Sequence, residues 1–541
     1  MTMLAKTKYT GAMLGASIGD ALGWPNEQNS RNINHKKNSY NKNFVSWRRK
    51  SGGRFWPHEE KIAAGEYSDD TQLLIATLRS LLKGSKWSTF FMQSELPTWL
   101  VYERGGGGAT KRAAECWKKG NHPWDEKTNS YNDVKRYFMA GGNGVAMRIM
   151  PHVFCNENDI SMIMKQVVLN GMYTHGHPRA LLGGMLYAYG IQYILTKEST
   201  LGYGELIQDM IDNKVYWSSI PSVNNFDNWI LCAERVLHED YRELWNSIVH
   251  ETLELLEVAK RGIDLGVLDI GNETLTKLGC FNKECNGAGN NTAVICIYLF
   301  SKYADDPVRG LVEAANLRNA DTDTIASMVG GLFGALYGVD WIPLEWRMVQ
   351  DYNMFDKLID LLISGRDCIS LHDKKLPLFG KDTVFKMNKG DSLILLPFGK
   401  VTLCEIENEY NSYKNIKVLI RVLKTEYEQT IYVKKLEKIK DNSYKNEEVS
   451  DKIALKQQDA NKAEKKIMLS SNELIKIHHE LKKVTKTEDF INILNEMVIE
   501  MQEHNFELNK EFITALKDKW NKYKITKKAL NSVADILRAN I

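Results

Sequence analysis

No two of the eight cysteines (Cys116, Cys155, Cys232, Cys280, Cys285, Cys296, Cys368 and Cys404) stand three residues apart, and no paired Cys/His spacing suggests zinc. That excludes a zinc ribbon or a CxxC redox centre, and scattered thiols of this kind are expected in a reduced, cytoplasmic protein. Long apolar runs are missing too: nothing approaches the roughly 20 residues a membrane helix needs. The glycine–lysine pairs at 380–381 and 399–400 are followed by Asp382 and Val401, so the GxxxxGK-Ser/Thr phosphate loop is absent. Excess charge is also lacking, since a net +3 over 541 residues gives the chain as a whole no nucleic-acid or membrane character.

What is present divides into segments. From residue 8 to about 365, apolar residues recur at three-and-four spacing and helices end at glycines such as Gly84, Gly120 and Gly266, which predicts one all-α domain over 1–365. Residues 376–440 change period, with short Val, Ile, Leu and Phe runs broken by NKGD and PFGK turns. They predict a small β-rich module with a local excess of positive charge. Residues 441–467 have the composition of a charged linker, and 468–541 return to helical periodicity as a C-terminal helical module. On this division, a chain ending near 365 should keep its chemistry.

Two helices open with the same grammar. "YSDDTQL" brings Ser68, Asp69, Asp70 and Thr71 to a helix start, and "NADTDTI" brings Asp321, Thr322, Asp323 and Thr324 to another. Ser, Thr and Asp are the preferred N-caps, so capping alone accounts for either stretch. Capping needs one acceptor, however, and four carboxylates brought together would repel unless a cation sat among them. Oxygen-only ligands suit a hard ion such as Mg²⁺ or Mn²⁺.

A reason for them to meet lies in the glycines. Gly11, Gly15 and Gly19 match Gly330, Gly334 and Gly338 in spacing, and interior glycines weaken a helix by roughly 1 kcal/mol each unless something offsets the loss. Two smooth ridges packed closely would bring Asp20 and Glu27 within reach of Asp321 and Asp323. Between the acidic ends lie two glycine turns, Gly105–Gly108 and Gly141–Gly144, suited to holding a diphosphate or serving as connectors. His175 and His177 precede a further helix, where a cap or packing role competes with ligand binding.

The ordered set "GASIGDALGWPNE", "YSDDTQL", "GGNGVAMRIMP", "THGHP" and "NADTDTIASMVGGLFGALYG" resembles the ADP-ribosylglycohydrolase family, which includes the dinitrogenase-reductase-activating glycohydrolases, over roughly residues 8–345. The resemblance implies an all-α fold with two Mg²⁺ ions, which Mn²⁺ replaces, and hydrolysis of the bond between ADP-ribose and an acceptor. Carried over by motif, Ser68, Asp69, Asp70, Asp321, Asp323 and Thr324 would hold metal. Glu27, Asp69, Asp70 and Asp323 would serve catalysis, and Gly142, Asn143, Gly144 and His175 would bind ADP-ribose. Ser68 stands where the family often has threonine, and the hydroxyl is kept.

The expected partner is an ADP-ribosylated macromolecule, chiefly protein, with nucleic acid open through the C-terminal modules and no membrane. The alternatives are a catalytically silent ADP-ribose-binding module and a hydrolase of a free ADP-ribose derivative.

Overall fold

The computed structural model describes residues 3–27, 40–52, 56–223, 225–266, 272–365, 376–411 and 416–438. The sequence expectations for 441–467 and 468–541 lie outside them. The elements that build the site are α1 (Met3–Gly23), β1 (Trp47–Ser51), β2 (His58–Ile62), α2 (Asp69–Leu81), α3 (Leu96–Tyr102), α4 (Gly108–Lys118), α5 (Pro178–Thr196), α6 (Gly289–Lys302), α7 (Thr322–Tyr337), α8 (Tyr352–Ser364), β3 (Ser392–Leu395), β4 (Gly399–Asn411), β5 (Ile416–Thr425) and β6 (Thr430–Lys438). The protein is helix-rich, as its periodicity predicts, with a small C-terminal sheet.

The helices α1 and α7 run antiparallel in backbone contact. A Cβ added at Gly11 would stand 1.9 Å from Gly338 O, one at Gly15 2.1 Å from Gly330 O, and one at Gly334 2.0 Å from Gly11 O. Such separations leave room for hydrogen alone, so the ridges offset their propensity cost through close helix packing. Further along, Gly19 faces Ala326 and Gly23 faces Thr322, whose hydroxyl donates to Gly23 O at 2.8 Å. The end of α1 is thereby pinned to the start of α7.

Helical periodicity gives no sign of the antiparallel hairpin β1–β2, in which Arg49 pairs with Glu60 and Trp47 with Ile62. Its buried face carries Trp47, Glu60 and Ile62, and Trp47 meets Trp24 edge-on at 5.2 Å. The C-terminal strands form an antiparallel meander in the order β3-β4-β5-β6, and fall inside the segment expected to be β-rich.

That sheet shares a core with the helices. Phe398, Val401, Leu403, Leu423, Ile431 and Val433 cluster with Leu73 and Ala76 of α2 and Trp99 and Tyr102 of α3. The sheet and the helices belong to one compact unit within residues 1–440. Polar ties accompany the apolar contact. Arg79 of α2, fully buried, pairs with Glu95 at 2.7 Å and donates to Gln429 Oε1. Asp351 accepts from Tyr67 Oη at 2.9 Å and from Thr430 N and Oγ1 at 2.8 and 2.6 Å.

Candidate active site

The starts of α2 and α7 converge, but they use their polar residues differently. At α2, Ser68 is the N-cap and its hydroxyl accepts from Asp70 N at 3.2 Å. At α7, Asp321 occupies the N-cap position without a side-chain capping bond, and its Oδ2 instead accepts from Asn143 Nδ2 at 2.8 Å. Capping therefore explains Ser68 and leaves Asp321 free for another task.

Asp321, Asp323 and Glu27 each place a carboxylate oxygen within 4.8 Å of the other two. Asp70 joins them from α2, close enough for the charges of Asp69, Asp20 and Asp321 to act on its carboxyl. Burial, reinforced by neighbouring carboxylates, raises Asp70 and Asp323 well above the usual carboxylate range and pushes Asp69 up to about 8. Asp70 Oδ2 is buried with no hydrogen-bond partner. Negative charge packed this tightly, with an orphaned oxygen and only oxygen donors, fits a hard divalent cation.

Asp20 takes a different part from the one its position suggests. Its fully buried carboxylate accepts from Ser68 N at 3.0 Å, from Thr71 N at 3.0 Å and from Thr71 Oγ1 at 2.6 Å, so it clasps the start of α2. Burial lifts it to about 6 against those bonds.

The turn at Gly141–Gly144 forms one wall. Gly142 bridges to Ala288, Asn143 N donates to Gly287 O at 3.0 Å, and Gly289 N donates to Gly141 O at 2.9 Å. The 287–289 backbone, invisible as a partner in the sequence, is brought there by α5 and α6. A Cβ on Gly183 would lie 2.3 Å from Gly289 C. His175 lies behind the turn, its Cε1 2.9 Å from where a Gly144 Cβ would sit, and its Nδ1 shares a 2.7 Å bond with Thr174 Oγ1. Burial, with Arg148 and Arg112 nearby, pulls it down to about 3, so it is neutral at ordinary pH. Fully buried Arg148 holds Gly144 O, both Asn170 oxygens and Thr174 Oγ1, all uncharged, and burial lowers it to about 9.

The second glycine turn forms another wall, beside Asp69. Gly105, at φ +109°, would place a Cβ 2.9 Å from Asp69 Oδ1. Gln72, one helical position past Thr71, secures this wall by donating to Tyr102 O at 3.1 Å and accepting from Trp99 Nε1 and Arg104 N at 3.1 and 3.3 Å. Glutamine inside an amphipathic helix carries no local signal of that role. His177 acts as the N-cap of α5, accepting from Arg179 N at 3.2 Å.

With this geometry in place, comparison with known proteins is direct. A family model described as ADP-ribosylglycohydrolase matches residues 1–370. The chain belongs to the ADP-ribosylglycohydrolase family. ADP-ribosylarginine hydrolase Tri1 of Pseudomonas putida (strain GB-1) is 23% identical over 356 residues, covering 63% of this chain and 74% of that protein. The ADP-ribosyl-(dinitrogen reductase) glycohydrolase of Rhodospirillum rubrum is 21% identical over 353 residues, 63% of this chain and 89% of its own. ADP-ribosylhydrolase ARH3 of Homo sapiens is 23% identical over 310 residues, covering 54% and 76%. A solved structure titled ADP-ribosylglycohydrolase-related protein complex overlaps 67% of this chain and 98% of its own at 20% identity, with a TM-score of 0.43.

The family and these relatives support ADP-ribosyl hydrolase activity for this glycohydrolase, and the family implies a dimetal site. Its acidic cluster is able to hold metal. No helix among the described residues is long and apolar enough to cross a membrane.

Proposed function

We propose that this chain removes ADP-ribose from a modified macromolecule, chiefly protein, by cleaving the bond at the anomeric carbon of the distal ribose, using two Mg²⁺ or Mn²⁺ ions in a cytoplasmic setting. The observation that carries this reading is the convergence of Glu27, Asp321 and Asp323 with Asp70 at the meeting of two helix starts. Asp69, Asp70, Asp321 and Asp323 would hold the ions, with the Ser68 and Thr324 hydroxyls beside them. Bound there, the cations would supply positive charge against the ribose hydroxyls and the oxygen of the attacking water.

The chain's own groups do the rest. Asn143 fixes Asp321 by donating to one of its oxygens, so the remaining oxygen has a set direction. Gly142, lacking a side chain, would let a diphosphate approach backbone, while the missing side chain of Gly144 makes room for neutral His175, and the Arg148 cation supports the turn. Cleavage passes through a transition state of oxocarbenium character, and Glu27, at the edge of the cluster and half-buried, is placed to orient water or move a proton beside the anomeric carbon.

The deciding experiment incubates the full chain with ADP-ribosylated protein, with Mg²⁺ and with EDTA, and follows free ADP-ribose. Release that needs the metal supports the reading. Tight ADP-ribose binding without turnover would replace it with a silent reader, and turnover of a small acylated ADP-ribose alone would move the substrate to a free metabolite.

A further inference from the structure

The family match ends at residue 370, yet β6, at residues 430–438, reaches the wall of the candidate site. Lys434 Nζ lies 2.8 Å from Glu60 Oε2 on the hairpin. Glu60 also receives Arg104 Nε at 3.0 Å and faces its cross-strand neighbour Arg49 at 3.3 Å. Arg104, 3% exposed, pairs with Glu66 at 2.8 Å, and its guanidinium carbon stands 4.5 Å from the centre of the Tyr432 ring and 5.6 Å from that of Trp24. Residue 105, next in the chain, is the glycine whose backbone lies against Asp69.

These contacts form a network of buried charge that runs from the C-terminal sheet to Arg104, the residue before the glycine that packs against Asp69. Burial alone would raise the Glu60 carboxyl, but Lys434, Arg104 and Arg49 outweigh it and hold the group well below the usual range. The ionised form is thus maintained by cations from three separate segments, one of them β6. A buried ion network is weak evidence for stability but fixes geometry well, because each member has one arrangement that satisfies it.

We propose that β6 positions the Gly105–Gly108 turn against Asp69, with Lys434 and Tyr432 acting through Glu60 and Arg104. On this view the sheet outside the family domain is a positioning element of the active site, which the sequence division at 365 did not foresee. The proposal rests on Asp69 being a metal ligand, so its test includes a measurement that does not.

The full chain is compared with Lys434→Met, which keeps the apolar stem and removes the charge, with Lys434→Arg, and with Gln429→Leu, which cuts the sheet's separate tie to Arg79. Hydrogen exchange of amides 104–110, Mn²⁺ affinity by calorimetry and thermal melting are read for each. Lys434→Met should speed exchange at 105–108 several-fold and weaken Mn²⁺ binding about tenfold, the usual scale for supporting contacts around a ligand. Lys434→Arg should restore both, and Gln429→Leu should lower the melting temperature while leaving both in place.

Wild-type exchange in Lys434→Met overturns the proposal, as does an equal change in Gln429→Leu. Should Lys434→Met fail to fold, Tyr432→Leu carries the same expectation. If the wild type binds no Mn²⁺ while exchange still responds to Lys434→Met, the metal reading fails and the positioning role stands.

Discussion

Asn143 Nδ2 donates to Asp321 Oδ2 at 2.8 Å, joining a glycine turn to a helix start 178 positions away. The same amide is 3.3 Å from Thr292 Oγ1, so Asn143 ties the 141–144 turn to both α6 and α7. Asp321 is therefore oriented before any ion arrives. Asn143→Ala should weaken Mn²⁺ binding about 10- to 100-fold with little change in melting temperature. Isothermal titration checks this, and unchanged affinity would remove Asn143 from the support of the site.

Asp323 is buried among Glu27, Asp321 and Asp70, an arrangement costly without a counter-ion. In EDTA, Asp323→Asn should therefore melt a few degrees above the wild type, and on adding Mn²⁺ the order should reverse as only the wild type gains binding energy. Hydrolysis by the variant should be lost. A variant that still gains melting temperature with Mn²⁺ would show that Asp323 is no ligand.

At Gly334 even a methyl group has no room, since its Cβ would lie 2.0 Å from Gly11 O and 2.4 Å from Ala12 N. Backbone, unlike a flexible side chain, cannot step aside. Gly334→Ala should cost more than the usual 1 to 3 kcal/mol of overpacking, about 3 kcal/mol or above, and should reduce metal affinity by parting the two helices. Urea denaturation measures the first effect; a loss under about 1 kcal/mol would contradict the close packing.

His152 is fully buried between Gln166 and Asn170, and burial lowers it to about 4 from its ordinary 6.5. As pH falls below 6.5 the unfolded chain takes up this proton and the folded chain does not. Stability from this group is therefore full above pH 6.5 and declines, by up to about 1.4 kcal/mol per pH unit, until the folded form also protonates near 4. In His152→Gln that share of the acid slope should vanish, so denaturation curves of the two proteins should draw together between pH 6.5 and 4. Parallel curves would mean the buried histidine titrates normally.

Ending the chain at 365 would strip Arg79 of Gln429, Asp351 of Thr430, and Trp99 and Tyr102 of their apolar cover from Phe398 and Val401. Large aromatics left in water, and a buried guanidinium that keeps Glu95 but loses Gln429, are each costly, so the truncated chain should show no cooperative melting transition. Differential scanning calorimetry decides it. A sharp transition near that of the full chain would show that the helices stand without the sheet.

The sequence by itself determined what depends on spacing within one helix. The period of Gly11, Gly15 and Gly19 against Gly330, Gly334 and Gly338 states which faces lack side chains, and smooth faces have one obvious use, so the pairing of α1 with α7 and the approach of Glu27 to Asp321 and Asp323 were legible. The helical class of the first 365 residues and the β character of 376–440 follow from the same local periodicity. Tertiary structure decided whatever needed a partner far along the chain. It turned Asp20 away from α7 to clasp α2, and brought the 287–289 backbone to Asn143. It also formed the hairpin that presents Glu60, and set β6 against Arg104. Each of these is a polar group satisfying another across the core. Such pairings leave no period in the sequence, because a buried carboxylate or amide accepts any donor the fold delivers.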